Sequence, residues 1–149
     1  MREIDVTDEA LIRAGPAVVY QAILDELTGK THWSPYVEMK PRGEIPANQV
    51  GGIVDITVHR PGTPKFTSKT IEVIENKMVR FEYVEGDYSG EGQWTLEPTD
   101  DSTQVRFRWR VQPRRWLLRM LAPFIDIGKI HSEIMKFDFE GLNRHVGPK

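Results

Sequence analysis

Arg60, Tyr83 and His131 are the side chains whose type and placement could carry chemistry. Arg60 shares strand parity with Val54, Ile56 and Val58 and stands just before Pro61, so it points to the inner face at the end of a strand. A guanidinium there can hold a carboxylate, a phosphate or an enolate through two parallel hydrogen bonds. Stabilising a developing enolate is the electrostatic task of an aldol cyclisation. If the strand stops earlier, Arg60 bends into water instead. Tyr83 shares parity with Val79 and Phe81 and could handle a proton. His131 adjoins a helical stripe of Ile127, Ile130 and Ile134, where it serves as a general base or simply packs on the helix flank. Tyr36 and Tyr88 are further proton donors at a pocket mouth, or half-buried rim residues.

Other chemistries lack their residues. His32, His59, His131 and His145 show no metal-ligand spacing and Cys is absent, so no zinc site and no other metal or cofactor is expected. No glycine-rich phosphate loop follows a strand, and the serine-hydrolase elbow GxSxG is missing. Lys and Arg total 20 against 22 Asp and Glu, a net charge of −2, which lacks the basic excess of a nucleic-acid binder. The opening MREIDVTDEA has no signal-peptide core, and the apolar run MLAPFI is far short of a membrane span. A cytoplasmic location is the expectation.

These residues need a scaffold, and its elements can be read along the chain. The 149 residues suit a single domain covering 1–149. A strand over Asp5–Arg13 breaks at Ala14-Gly15. Pro16 then opens a helix, because its missing N–H is not needed in the first turn. Val19, Ile23 and Leu27 share a face of that helix, and Thr28-Gly29 stops it. A second short helical or turn segment is expected over Lys30–Ser34, until Pro35 forces Ser34 out of helical geometry. Strands follow at Val37–Arg42, Ile53–Arg60, Thr67–Glu75, Met78–Glu85, Ser89–Glu97 and Thr103–Gln112, separated by turn residues.

The last two strands fix their own register. Pairing Leu96 with Val105, Trp94 with Phe107 and Gly92 with Trp109 puts every large apolar residue on one face. Arg106, Arg108 and Arg110 then fall on the other, set to pair with Glu91 and its neighbours. A one-residue slip would scramble both faces. After Pro113, Trp116, Leu117, Met120 and Leu121 mark a first helical piece. Pro123 breaks the chain, and Ile127, Ile130, Ile134 and Phe137 form the stripe of a longer piece running to about His145. Sequential strands with short links imply an antiparallel sheet, and only the long helix can cover its apolar face. The hollow between them is the expected site, walled by Val58, Phe81, Tyr83, Trp94, Phe107, Trp109, Ile127 and Ile134.

The segment PRRWLLRMLAPF mixes Arg with large apolar residues, and from Ser102 to Ile125 there are six Arg and no acid. It could gate the cavity, bringing in Leu121 and Phe124, cap the sheet, form a homodimer contact, or lie on anionic lipid as a minor alternative.

The element order, with PAVVYQAILD at the first helix, HWSPYV, the Gly51-Gly52 pair before a strand and WTLEPTDDST before the final strand, resembles the START-related and birch-pollen-allergen superfamily. Within it, the chain is similar to polyketide cyclase/dehydrase-like proteins. That resemblance implies an α+β helix-grip fold: a curved antiparallel sheet of six to seven strands around a long C-terminal helix, with two short helices after the first strand. It also implies a deep apolar cavity, with Trp33 the position that maps onto the family most directly. The function expected is binding of a hydrophobic, polyketide-like or aromatic small molecule, with Arg60, Tyr83 and His131 supporting cyclisation or dehydration if the pocket is catalytic. The alternatives are a non-catalytic lipid or quinone carrier docking on membranes through residues 113–124, and an interaction module whose cavity is filled by side chains.

Overall fold

The computed structural model describes residues 3–148. Strand β1 (Ile4–Ile12) leads into helix α1 (Pro16–Leu27). Six strands follow: β2 (Val37–Arg42), β3 (Ile53–Val58), β4 (Lys65–Ile74), β5 (Met78–Gly86), β6 (Tyr88–Pro98) and β7 (Thr103–Pro113). Helix α2 (Trp116–Leu121) and the long helix α3 (Ile127–Val146) complete the chain. The seven strands form one curved sheet in the order β1-β7-β6-β5-β4-β3-β2, with every pairing antiparallel. The helix-grip expectation holds, with α3 lying against the sheet.

The β6–β7 hairpin has the register that parity requires: Leu96 faces Val105, Trp94 faces Phe107 and Gly92 faces Trp109. Its outer face departs from expectation. Arg108 makes two hydrogen bonds to Asp5, at 3.1 and 2.8 Å, while Arg110 reaches Glu3 at 2.9 Å. Arg106 bridges Glu9 on β1 and Glu97 on β6. Glu91, the expected partner, pairs with Arg80 instead. The reason is topological: β1 closes against the outer side of β7, so the arginines face acids from the far end of the chain. These pairs are exposed, so solvent screens them and they add little to stability.

Two expected elements are shorter than their patterns suggest. Residues 30–34 form no helix, so only α1 follows β1, and the second short helix is α2 near the other end of the chain. The Glu26 side chain accepts the backbone N–H groups of Trp33 and Ser34, at 3.0 and 2.9 Å, which a helix would have directed to its own carbonyls. Strand β3 ends at Val58, two residues early. Arg60 lies in a tight turn, its N–H donating to the Val58 carbonyl at 3.0 Å and its carbonyl accepting from Thr63 at 2.8 Å.

The twenty residues of α3 give it a length of about 30 Å, enough to cross the sheet. Asp126 caps it by accepting the Lys129 N–H at 3.0 Å. Its inner stripe is Ile127, Ile134, Met135, Asp138, Phe139 and Leu142, all buried. Phe137, expected on that stripe, is 39% exposed and turned to the rim. Gly141 lets α3 lie against the segment before β2: a Cβ there would fall on the Trp33 carbonyl oxygen.

Candidate functional site

Between the concave face of the sheet and α3 lies an apolar cavity of about 110 Å³. Strand β3 contributes Ile56 and Val58 to its wall, β5 contributes Phe81 and Tyr83, and β6 contributes Tyr88 and Trp94. Phe107 and Trp109 come from β7, and Ile127, His131 and Ile134 from α3. The strand residues converge because alternate side chains of neighbouring strands share one face. Gly92 makes room for them: a Cβ there would lie 2.5 Å from Phe81, 2.6 Å from the Tyr83 hydroxyl and 3.1 Å from Phe107. The rings meet edge-on or tilted, as Phe66 with Tyr83 at 5.0 Å and Trp94 with Phe107 at 4.7 Å between centroids. These geometries suit the ring quadrupoles.

Five side chains expected at the site lie elsewhere. Trp33 sits behind the cavity, its indole N–H donating to the Ala22 carbonyl at 3.0 Å and its ring meeting Trp94 edge-on. Tyr36 packs edge-on against Phe137 at 5.2 Å, and the Arg60 guanidinium lies over its ring at 5.0 Å. The early end of β3 therefore places Arg60 in a cation–π contact and outside the cavity wall, its Nε buried without a hydrogen-bond partner. Leu121 and Phe124 are 38% and 85% exposed and do not reach the cavity. None of the α2 side chains is buried.

The polar groups in the wall are few. Burial pushes the Tyr83 phenol far above its ordinary range, opposed by a hydrogen bond from Trp109. Tyr88 is pushed up to about 12, by burial and then by the Asp87 charge, with Arg115 opposing. Both phenols therefore keep their protons at neutral pH. The His131 ring stacks on Trp109 at 4.1 Å with the planes 5° apart. Its Nδ1 lies 3.7 Å from Asp8 Oδ2 on β1, too long for a hydrogen bond, and both atoms are buried without a partner. Burial holds His131 below its ordinary value against the pull of Asp8. Burial raises Asp8, but His131 and Ser132 outweigh that and leave it lowered. A neutral imidazole against a carboxylate is an arrangement that can accept a proton.

Asp138 belongs to the same wall and was not anticipated. It is 6% exposed, and Ser34 Oγ donates to its Oδ1 at 2.5 Å. Burial, with the nearby Glu26 adding to it and Ser34 opposing, pushes its carboxyl up to about 7. The signal was present in the spacing: His131, Ile134, Met135 and Asp138 stand at i, i+3, i+4 and i+7, so an acid interrupts the apolar stripe. Asp138 stands four residues after Ile134 on the same face, and its acidic side chain alone set it apart from the stripe. Among the described residues, no group of three or more His, Cys, Asp or Glu is gathered as a metal site would need. No helix there is long and apolar enough to cross a membrane.

Comparison with known proteins agrees with this geometry. The family described as polyketide cyclase/dehydrase and lipid transport matches residues 3–145. A START superfamily protein from Mycobacterium smegmatis superposes with a TM-score of 0.73 at 16% identity, over 95% of this chain and 96% of that one. Norcoclaurine synthase from Thalictrum flavum, solved with dopamine and hydroxybenzaldehyde, gives 0.66 at 16% identity, over 99% and 90%. The di-domain aromatase/cyclase StfQ of the steffimycin biosynthetic pathway gives 0.72 at 11% identity, over 97% of this chain and 50% of its own. At these identities the likeness is one of fold. A comparison with curated proteins finds no match.

Proposed function

The chain belongs to the polyketide cyclase/dehydrase and lipid transport family, and we propose that it binds a hydrophobic, largely aromatic small molecule in the cavity beneath α3. The observation that carries this reading is the cavity wall itself, made of Phe66, Phe81, Trp94, Phe107 and Trp109 with few polar groups. Ligand pockets are mostly apolar with a small number of placed polar atoms. At about 110 Å³ the space is somewhat smaller than the apolar cavity of about 150 Å³ that takes up benzene, so a single aromatic ring is the largest unit expected to lie fully within it. The two aromatic ligands of norcoclaurine synthase support the class. Cyclisation or dehydration of a bound molecule would fall to His131 as base and Tyr83 as hydroxyl donor, because Arg60 stands outside the wall.

The test is native mass spectrometry of protein purified gently from its own host, followed by denaturing extraction of anything bound. An aromatic adduct is expected. A stoichiometric lipid or quinone would overturn the reading in favour of a carrier.

One observation favours that second reading. Trp116, Met120 and Phe124 are 68%, 62% and 85% exposed on and just after α2, among Arg115 and Arg119. Large apolar side chains beside cations suit an anionic lipid surface. Co-sedimentation with anionic vesicles, weakening in salt and on Trp116→Ala, would support a membrane-docked carrier. A concentration-dependent dimer lost in the same variant would assign the patch to a second copy of the chain.

A further inference from the structure

Resting on the cavity-binding reading, we propose that the Asp138 carboxylic acid donates a hydrogen bond to the ligand, so that the cavity selects neutral aromatic molecules bearing a carbonyl oxygen. Among the described residues, no lysine or arginine lines the cavity, and Asp138 brings the only carboxyl group to its wall. An anionic ligand would bury its charge with no such cation beside it, and once Asp138 ionises it would also meet a second negative charge, at a cost that grows with desolvation.

The hydrogen bonds around Ser34 decide which way Asp138 can act. Ser34 joins two buried acids: its N–H goes to Glu26 Oε2 at 2.9 Å, and its hydroxyl proton goes to Asp138 Oδ1. Glu26 receives two more donors, Thr31 Oγ1 at 2.8 Å and the Trp33 N–H at 3.0 Å. A carboxylate is well satisfied there. Asp138 receives Ser34 alone, so burying its charge is poorly compensated and the acid form is favoured. With Oδ1 accepting from Ser34, the acid proton belongs on Oδ2. An acid O–H inside an apolar cavity needs an acceptor. A ketone or aldehyde oxygen supplies one, whereas an alkylbenzene of the same shape does not.

The titratable groups around Asp138 allow its share to be separated. Glu26 faces it from α1. His131 lies on the same helix with Asp8 of β1 behind it, and burial pushes it to charge below its ordinary range. Tyr83 and Tyr88 come from the sheet and stay neutral throughout. His32, on the segment leading to Ser34, is exposed. The carboxyl of Asp138, near 7, is the one expected to change between pH 6 and pH 8.

The test is calorimetric titration with acetophenone, ethylbenzene, benzoate and benzylamine at pH 6 and pH 8. Acetophenone should bind about fivefold tighter than ethylbenzene at pH 6, the worth of one net hydrogen bond. Its affinity should fall about threefold by pH 8, as the donor ionises and most of that advantage is lost, while that of ethylbenzene changes little. Benzoate should fail to bind at pH 8. Asp138→Asn keeps a donor at every pH, so it should retain the preference and lose the pH slope. The native protein's own profile answers the question even if that variant does not fold. Acetophenone binding equally at both pH values, or benzylamine binding more tightly than acetophenone at pH 6, would overturn the inference. Ethylbenzene binding without any acceptor preference would sink it and leave the cavity reading standing. Failure of both probes to bind would remove the cavity reading and this inference with it.

Discussion

Replacing Asp138 with Asn should make the protein more stable, and increasingly so as pH rises. The carboxyl is raised from 3.8 to about 7 by burial, so the folded chain holds its proton more tightly than the unfolded chain does. The sign follows from linkage: this share of stability is complete below the unfolded value and is lost as pH climbs through the folded one. A shift of about three units corresponds to about 4 kcal/mol, a large part of the 5–15 kcal/mol that stabilises a typical domain. Asn fits the same space, its amide oxygen still accepts from Ser34, and it never ionises. The advantage of Asp138→Asn over the native protein should therefore grow by about 2–3 kcal/mol between pH 5 and pH 8. Urea unfolding of both proteins at each pH measures it. Taking the difference cancels the other titrating groups, including Asp5 and Asp8, whose lowered values act in the opposite direction. A constant gap across that range would refute the argument, because it would mean that Asp138 is solvated or paired well enough to ionise normally.

Further substitutions test the packing that forms the site. Gly141→Ala would gain about 1 kcal/mol of helix propensity, but its Cβ falls on the Trp33 carbonyl. Overpacking costs about 1–3 kcal/mol, so a net loss in thermal unfolding is expected, and a stabilised variant would show that α3 does not approach so closely. Gly92→Ala should push the Phe81 and Phe107 rings into the cavity and lower affinity for any aromatic probe more than it lowers stability; unchanged affinity in a titration would count against that cavity as the binding site. Arg108→Ala, though it removes a two-bond contact with Asp5, should leave the denaturant midpoint close to the native value because the pair is exposed. Trp116→Ala should leave the melting temperature within about 2 °C of the native value, since α2 buries none of its side chains; a larger drop would show that Trp116 is packed in solution.

Local patterns determined the architecture. The β6–β7 register was legible because a two-residue period and a short turn allow only one pairing that segregates Trp94, Phe107 and Trp109 from the arginines. The break at Pro123 and the length of α3 were legible for equally local reasons. The sheet-side wall of the cavity followed from the same parity. What the tertiary structure decided were contacts between segments far apart in the chain. Arg108 meets Asp5 across 103 positions, because β1 returns to the far side of β7. No periodicity reports which strand closes a sheet. Arg60 left the cavity because β3 ended two residues before its pattern did and Tyr36 offered its ring. Asp138 entered the cavity because α3 turns that face inward, where a polar residue reads as solvent-facing until its neighbours are known. Its raised carboxyl depends on three segments meeting: α1 with Glu26, the chain at Ser34, and α3 resting on Gly141. Strand and helix periods are properties of adjacent residues, whereas burial and charge at a site are sums over everything nearby, and only the folded chain brings those neighbours together.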